Sequence, residues 1–313
     1  MNKTHRKILV TGGAGFIGSN LIPHILAKDY SVTAIDNLHS GKLENLAQAQ
    51  NNPNFKFKYG DIRDKSQLHL AIRDVDTIVH LAALIDISES VTNPLETHEV
   101  NVTGTLNVLQ EAIKNKTKRF IFASSTAVYG DTTVLPVKET TLLSPLSPYA
   151  ASKAAGEAYT NAFANCYNIE TVTLRFFNVY GPKNENSPYS GVITTFLRKT
   201  ANNEALTIED DGEQTRDFIH VTDIAEALTL AIDHKKLRNE VFNVCTGSPT
   251  SINQLAQTVQ TVSGKNLQIK HTLPRTGDIR HSYGDPSKAA SKLGFKSKIT
   301  IQKGLETLLL NPK

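Results

Sequence analysis

The chain has 313 residues, enough to bury a large core and to form two lobes. Hydrophobic residues make up 39% and charged residues 20%, the ordinary balance of a globular protein. A net charge of +4, with no long basic run and no Trp, argues against nucleic-acid binding and suits an anionic small substrate.

The basic residues among the first seven precede only a short apolar run, too short for a signal peptide or a membrane span. Cys166 and Cys245 are isolated, with no metal-ligand spacing. They read as reduced thiols of a cytoplasmic protein, and no metal is expected.

In chain order, Ile8–Val10 reads as a buried parallel strand. It runs into Thr11-Gly12-Gly13-Ala14-Gly15-Phe16-Ile17-Gly18 and then into a helical stretch. The glycines satisfy G-x-x-G-x-x-G from Gly12 and G-x-G-x-x-G from Gly13. Such glycines permit a tight turn, close approach of backbone to a pyrophosphate, and close packing of helix on strand. The helix N-terminus then faces the phosphates with its N–H groups and the positive end of its dipole. Gly12, Gly15, Phe16, Ile17 and Gly18 are therefore cofactor-binding candidates. Pro23 falls inside this first helix and predicts a kink or a solvent-facing defect.

A second strand, Ser31–Ile35, ends at Asp36, 18 residues after Gly18. An acidic residue there accepts from the adenosine ribose hydroxyls and repels a 2′-phosphate, so NAD is favoured over NADP. Further strands are expected at Phe55–Tyr59, Thr77–Leu81, Arg119–Ala123 and Thr171–Phe176, with helices at Leu95–Lys114 and Pro148–Asn165. The alternation predicts a parallel sheet covered by helices on both faces. The stretch Tyr180–Tyr189, rich in Pro, Asn and Gly, marks a lobe boundary. Beyond it come a helix at Val192–Ala201, a strand near Leu206, and a helix capped by Thr222 that reaches about His234. A strand at Val241–Val244 is placed to rejoin the main sheet, followed by a helix from Ser251 and a strand near Leu267–Lys270.

The pattern richest in chemistry is Ser125, upstream of Tyr149 and Lys153. Tyr and Lys four apart share a helix face, which lets the ammonium favour the phenolate and makes Tyr149 a usable base. Ser147-Pro148 supplies an N-cap followed by Pro at the first helical position, so Tyr149 sits at the helix entrance.

The set TGGAGFIG, Asp36, GDI, HLAA, SSTAVYG, SPYAASK, RFFNVYGP, RDFIHV and GDIRHS runs nearly end to end. In that order it resembles the extended short-chain dehydrogenase/reductase family, and within it the nucleotide-sugar 4-epimerases of UDP-glucose and UDP-N-acetylglucosamine type. The resemblance implies an α/β fold, a Rossmann-type doubly wound parallel sheet with a smaller α/β C-terminal lobe. Residues 1–177, with 219–246 returning, would form the NAD-binding domain, and 178–218 with 247–313 the nucleotide-sugar lobe. It implies that Tyr149 takes the proton of the sugar 4-hydroxyl while the C4 hydride passes to bound NAD. The 4-keto sugar then turns over and is reduced on its other face. Ser125 would bond the 4-oxygen, and Lys153 would tune Tyr149 and bond the nicotinamide ribose. Ser124 is the expected bystander, and His80 is expected to pack.

Asp61 and Ile62 resemble adenine contacts, and Asn37, Leu81, Ala82, Ala83 and Asn101 the rest of the cofactor-lining set. Asn178, Val192, Arg216, Arg275, Asp278 and Ser282 resemble the contacts to the UDP-sugar. Dehydratases and decarboxylases of this superfamily resemble strings with Glu two residues after the hydroxyl; here Ala127 stands there. At Ser282 a large aromatic would narrow the pocket against a 2-N-acetyl group. Its small side chain implies UDP-GlcNAc/UDP-GalNAc as substrates alongside UDP-Glc/UDP-Gal, unless a register shift brings Tyr283 there. Ile85 departs from epimerases with Lys at that place. A homodimer built on Leu95–Lys114 and Pro148–Asn165 is the implied assembly. A UDP-glucuronate 4-epimerase or decarboxylase, and a non-catalytic NAD-binding regulator, stay open as alternatives.

Overall fold

The computed structural model describes residues 6–184, 191–274 and 279–310. Among these the strands are β1 (Lys7–Thr11), β2 (Ser31–Asp36), β3 (Phe55–Tyr59), β4 (Thr77–His80), β5 (Arg119–Ser125), β6 (Glu170–Phe176), β7 (Asn178–Tyr180), β8 (Leu206–Glu209), β9 (Thr215–His220), β10 (Glu240–Val244), β11 (Pro249–Ser251), β12 (Ile269–Thr272) and β13 (His281–Ser282). The α-helices are α1 (Phe16–Leu26), α2 (Ala47–Gln50), α3 (Lys65–Ile72), α4 (Ile87–Thr92), α5 (Pro94–His98), α6 (Gly104–Lys114), α7 (Pro148–Cys166), α8 (Val192–Ala201), α9 (Val221–Asp233), α10 (Ile252–Ser263) and α11 (Ile301–Leu310).

Seven strands form one parallel sheet in the order β10-β6-β5-β4-β1-β2-β3. Strands such as Ile-Leu-Val and Thr-Ile-Val-His are buried along almost their whole length, because helices cover both faces of a parallel sheet. Ile8 and Val10 face one apolar layer with α1 and α9, whereas Leu9 and Ile78 face the other with α3, α6 and α7. The strand order reverses between β1 and β4, and at such a switch point an open α/β sheet forms a crevice at its C-terminal edge. β10 pairs with β6 in this sheet, the return expected for Val241–Val244. A separate apolar core, with Ile193, Phe196, Leu206, Phe218, Leu255 and Leu305, gathers α8, α10, α11 and strands β8 and β9.

Two local expectations are corrected. The stretch expected as one helix, Leu95–Lys114, is α5 and α6 joined by a π-helical turn at Glu99–Thr103. The cap of α9 is the His220 ring, whose Nδ1 accepts from Thr222 N at 3.2 Å; Thr222 is already inside the helix. Helix α1 continues through Pro23. The missing N–H of Pro23 leaves the Ser19 carbonyl without its helical donor. Lys183 Nζ takes that place, donating to Ser19 O at 3.1 Å and to Asn45 O at 2.9 Å.

Candidate active site

One cleft of about 940 Å³ runs along the C-terminal edge of the sheet and into the second core's flank. That volume is of the size that takes a small-molecule ligand. Its first wall is the turn after β1. Gly12 has φ +68, and a Cβ there would lie 2.8 Å from Ala82 N, so only glycine lets the turn approach the β4 loop. A Cβ at Gly18 would collide with Gly12 O, which is how this glycine allows α1 to start against the turn. No side chain caps α1, and Gly15, Phe16, Ile17 and Gly18 present its first turn to the cleft.

Asp36 closes β2 and lines the same wall. Its Oδ2 accepts from Ala14 N at 2.9 Å and its Oδ1 from Leu38 N at 2.8 Å, so the carboxylate is held in one orientation. Burial pushes its pKa up, and the backbone bonds oppose that. Asn37 and Asp61 meet beside it: Asn37 Nδ2 donates to Asp61 Oδ2 at 3.0 Å. Arg63 also clasps Asp61, with Nη2 to Oδ2 at 2.8 Å, and bonds Glu96 at 3.0 Å. These bonds hold the Asp61 carboxyl down at about 2. Arg63, which the sequence reading missed, is thus a lining cation whose charge is met by two carboxylates. Ile62 completes this end.

The β4 loop is set by a chain of hydroxyls through His80. Thr105 Oγ1 donates to Asn101 O at 2.6 Å, so it accepts from His80 Nε2 at 2.9 Å. His80 Nδ1 then accepts from Thr11 Oγ1 at 2.7 Å. Thr11 Oγ1 in turn accepts from Leu81 N and Ala82 N, both at 3.2 Å. Burial, with the Lys153 charge behind it, pushes the His80 pKa down to about 3, so the ring is neutral and structural. Leu81, Ala82 and Ala83 line the cleft, as does half-exposed Ile85. Asn101 does not line it. From the π-helical turn it bonds Leu84 N and Leu84 O, each at 2.8 Å, and Ser152 Oγ at 2.9 Å. It supports the loop from behind, projecting from that turn.

Ser125, Tyr149 and Lys153 converge where β5 meets α7. Ser147 caps α7 by accepting from Ala150 N at 3.1 Å, and Pro148 follows at the first helical position. Ser125 Oγ accepts from Ala127 N at 3.2 Å, which leaves its proton for another oxygen. Burial raises the Tyr149 phenol above its ordinary range, and the hydrogen bond with Ser125 opposes that. Lys153 Nζ donates to Ala123 O at 2.9 Å, and burial lowers its pKa to about 8. The direct partner of the phenol is therefore Ser125, while Lys153 is anchored to the strand. Ser124 also lines the cleft and donates to Glu157 Oε1.

At the far end, Asn178, Val192 and Arg216 line the cleft. Along β9 the side chains alternate, so Arg216 faces the cleft and Asp217 turns inward. Asp217 is fully buried and accepts from Thr246 N, Thr246 Oγ1 and Gly247 N at 2.7–2.8 Å. Ser282 pairs in register with Arg216 but is not itself a lining residue. Arg275 and Asp278 lie outside the described residues.

The fold and the site define a Rossmann-type enzyme with a Ser–Tyr–Lys centre beside a dinucleotide turn. The family described as GDP-mannose 4,6 dehydratase matches residues 9–308, and the chain belongs to it, within the extended short-chain dehydrogenases/reductases. The UDP-glucose 4-epimerase of Mycolicibacterium smegmatis is 34% identical over 301 residues, which cover 96% of each chain. Among solved structures, a UDP-N-acetylglucosamine 4-epimerase from Methanobrevibacter ruminantium in complex with UDP-N-acetylmuramic acid superposes with a TM-score of 0.92 at 39% identity, covering 97% of both chains. The Thermus thermophilus UDP-glucose 4-epimerase in complex with NAD gives 0.87 at 33%, covering 96% of both.

Proposed function

We propose that the protein is an NAD-dependent UDP-sugar 4-epimerase, acting on UDP-GlcNAc/UDP-GalNAc and on UDP-Glc/UDP-Gal. The observation that carries this reading is a single cleft that joins the Gly12–Gly18 turn, the Ser125–Tyr149–Lys153 centre and Arg216. The turn fits a dinucleotide: a side chain at Gly12 or Gly18 would close it, and Asp36 is oriented to accept from ribose hydroxyls. Arg63, neutralised by Asp61 and Glu96, is no ready partner for a 2′-phosphate, which favours NAD.

When bound, NAD supplies the acceptor and donor for the hydride of the sugar C4. Tyr149, as phenolate, takes the proton of the 4-hydroxyl and returns it later to the epimeric oxygen. Ser125 donates to that oxygen and to the phenolate in turn. Lys153 contributes positive charge behind them in a site where burial strengthens it. Asn178, Val192 and Arg216 hold the nucleotide end, the guanidinium matching phosphate oxygens. β5 continues into Thr126 and Ala127, so no carboxyl follows Ser125 to drive elimination or decarboxylation. The alternative uronate and decarboxylase readings are therefore second.

A homodimer through α5, α6 and α7 is part of the proposal. Leu95, Val91 and Tyr159 are exposed on α5, α4 and α7, and these helices pack together. Cys166 and Cys245 are both unpaired, which suits the cytoplasm. No helix of the described residues is long and apolar enough to cross a membrane.

The test is incubation of the purified protein, with no added cofactor, with UDP-GlcNAc and separately with UDP-Glc. Proton NMR and mass spectrometry read the products. A C4 epimer of unchanged mass is expected. Loss of water or CO2 would overturn the assignment, and no conversion even with NAD supplied would leave the regulator reading.

A further inference from the structure

Three consecutive residues at the end of β5 each meet one of three residues spaced four apart on α7. The Ser125 hydroxyl meets the Tyr149 phenol, Ala123 O accepts from Lys153 Nζ, and Ser124 Oγ donates to Glu157 Oε1. Residues at i, i+4 and i+8 lie along one stripe of a helix, so the strand end and the helix are held by three matched contacts. The stripe sits close because Gly156 packs on Phe122: a Cβ there would collide with that ring. The third contact is also the most strongly built. Arg175 on β6 grips Glu157 with both arms, Nε to Oε1 at 2.9 Å and Nη2 to Oε2 at 2.6 Å. Glu157 and Arg175 are both buried. The other side of the guanidinium donates to Tyr129 OH at 2.8 Å, and Tyr129 donates to Asn243 Oδ1 at 2.6 Å, which ties β10 to the same assembly.

We infer that Glu157 is a positioning residue for the reaction: with Ser124 and Arg175 it fixes α7 on the end of β5 and thereby sets where the Lys153 ammonium stands. This rests on the epimerase reading of the same site. Glu157 has no place in the cleft lining and acts through Lys153 and the strand. A purely structural ion pair would serve anywhere in the core; this one lies a single helical turn from Lys153 and next to the residue that bonds it. Its carboxylate also favours the charged form of Lys153 against the burial that lowers it. The charged and titratable groups around Lys153 are Tyr149 and Glu157 on its own helix, neutral His80 on β4, Arg175 on β6 and Tyr129 in the turn after β5. Among these Glu157 is the carboxylate, and its charge favours the ammonium.

The experiment compares the wild-type holoenzyme with Glu157→Gln and Ser124→Ala, measuring kcat, KM, the pH profile of kcat, bound NAD per protomer and thermal unfolding. For Glu157→Gln the expected result is a kcat loss of about tenfold or more with KM within about threefold. The alkaline limb of kcat should move to lower pH by about one unit, because Lys153 loses its ammonium earlier. An unmoved limb, or a loss of kcat matched by loss of bound NAD and of thermal stability, would leave a structural ion pair and overturn the inference. If Glu157→Gln does not fold, Ser124→Ala decides, since it keeps both charges. A kcat loss of a few-fold at full NAD content supports the inference, and wild-type kcat overturns it. Should the wild-type protein convert no UDP-sugar, the epimerase reading fails. The same variants are then read by NADH fluorescence titration against pH, where Glu157→Gln should bring the loss of affinity to lower pH and an unchanged profile overturns the inference.

Discussion

Asn101→Ala separates a residue that touches the cofactor from one that holds the wall behind it. Asn101 is 2% exposed and satisfies both backbone groups of Leu84, N–H and C=O, each at 2.8 Å. Its amide also bonds Ser152 Oγ, which keeps a second bond to Tyr149 O at 2.7 Å. Truncation to Ala therefore leaves two buried backbone groups without partners. Each costs about 1–3 kcal/mol, so the loss is about 2–6 kcal/mol. With an unfolding entropy of about 2.1 cal/mol/K per residue, each kcal/mol corresponds to about 1.5 °C in a chain of this size, which predicts a fall in Tm of about 3–9 °C. The assay is thermal unfolding of protein stripped of NAD, beside NAD affinity of the same preparation. The reasoning is refuted if the stripped variant melts within about 1 °C of wild type while NAD binding weakens, since Asn101 would then act on the cofactor directly.

Other expectations follow from the same contacts. Tyr149→Phe should lower kcat by about 10²–10⁴-fold while leaving NAD bound, as measured by turnover and by cofactor released on denaturation. Ser282 does not itself line the cleft but pairs with Arg216, which does. On the epimerase proposal a larger side chain at Ser282 reaches the C2 end, so Ser282→Tyr should reduce turnover of UDP-GlcNAc more than that of UDP-Glc, and equal effects on both would count against that role. Acid should destabilise the fold through two buried histidines. His80 and His220 have pKa values lowered by burial to about 3 and about 4. Below about 6.5 the unfolded chain takes up protons that the folded ring refuses. Their contribution is therefore complete above that pH. It is lost by about 1.4 kcal/mol per histidine per pH unit as the pH falls toward those values. Denaturant unfolding at pH 7, 6 and 5 measures the slope, and a flat profile would refute the assignment of neutral, buried rings.

The sequence by itself carried the parts of this protein that are written locally. A glycine turn between an apolar strand and a helix, an acidic residue at the next strand end, and a capped helix opening on Tyr149 each depend on residues within a few positions of one another. Their spacing is enough to place Gly12, Asp36 and Tyr149, and all three line one cleft. The parallel sheet was legible for a similar reason, because continuous apolar runs alternate with amphipathic stretches.

Tertiary structure decided what depends on distant partners. The π-helical turn at Glu99–Thr103 has no signature in its own residues, and it turns Asn101 toward Leu84 instead of the cleft. Arg63 is part of the wall beside Glu96, 33 positions away, which bonds it. Ser124 looked like a spare hydroxyl, and only the crossing of α7 over β5 and β6 buries it together with Glu157 and Arg175. The expectation that the Lys153 ammonium sits near the phenol came from helix periodicity, which fixes a shared face but not an acceptor. Ala123 O, 30 positions upstream, supplies that acceptor. Hydrogen bonds in a buried site are chosen by which polar groups folding leaves without water, and that choice is made in three dimensions.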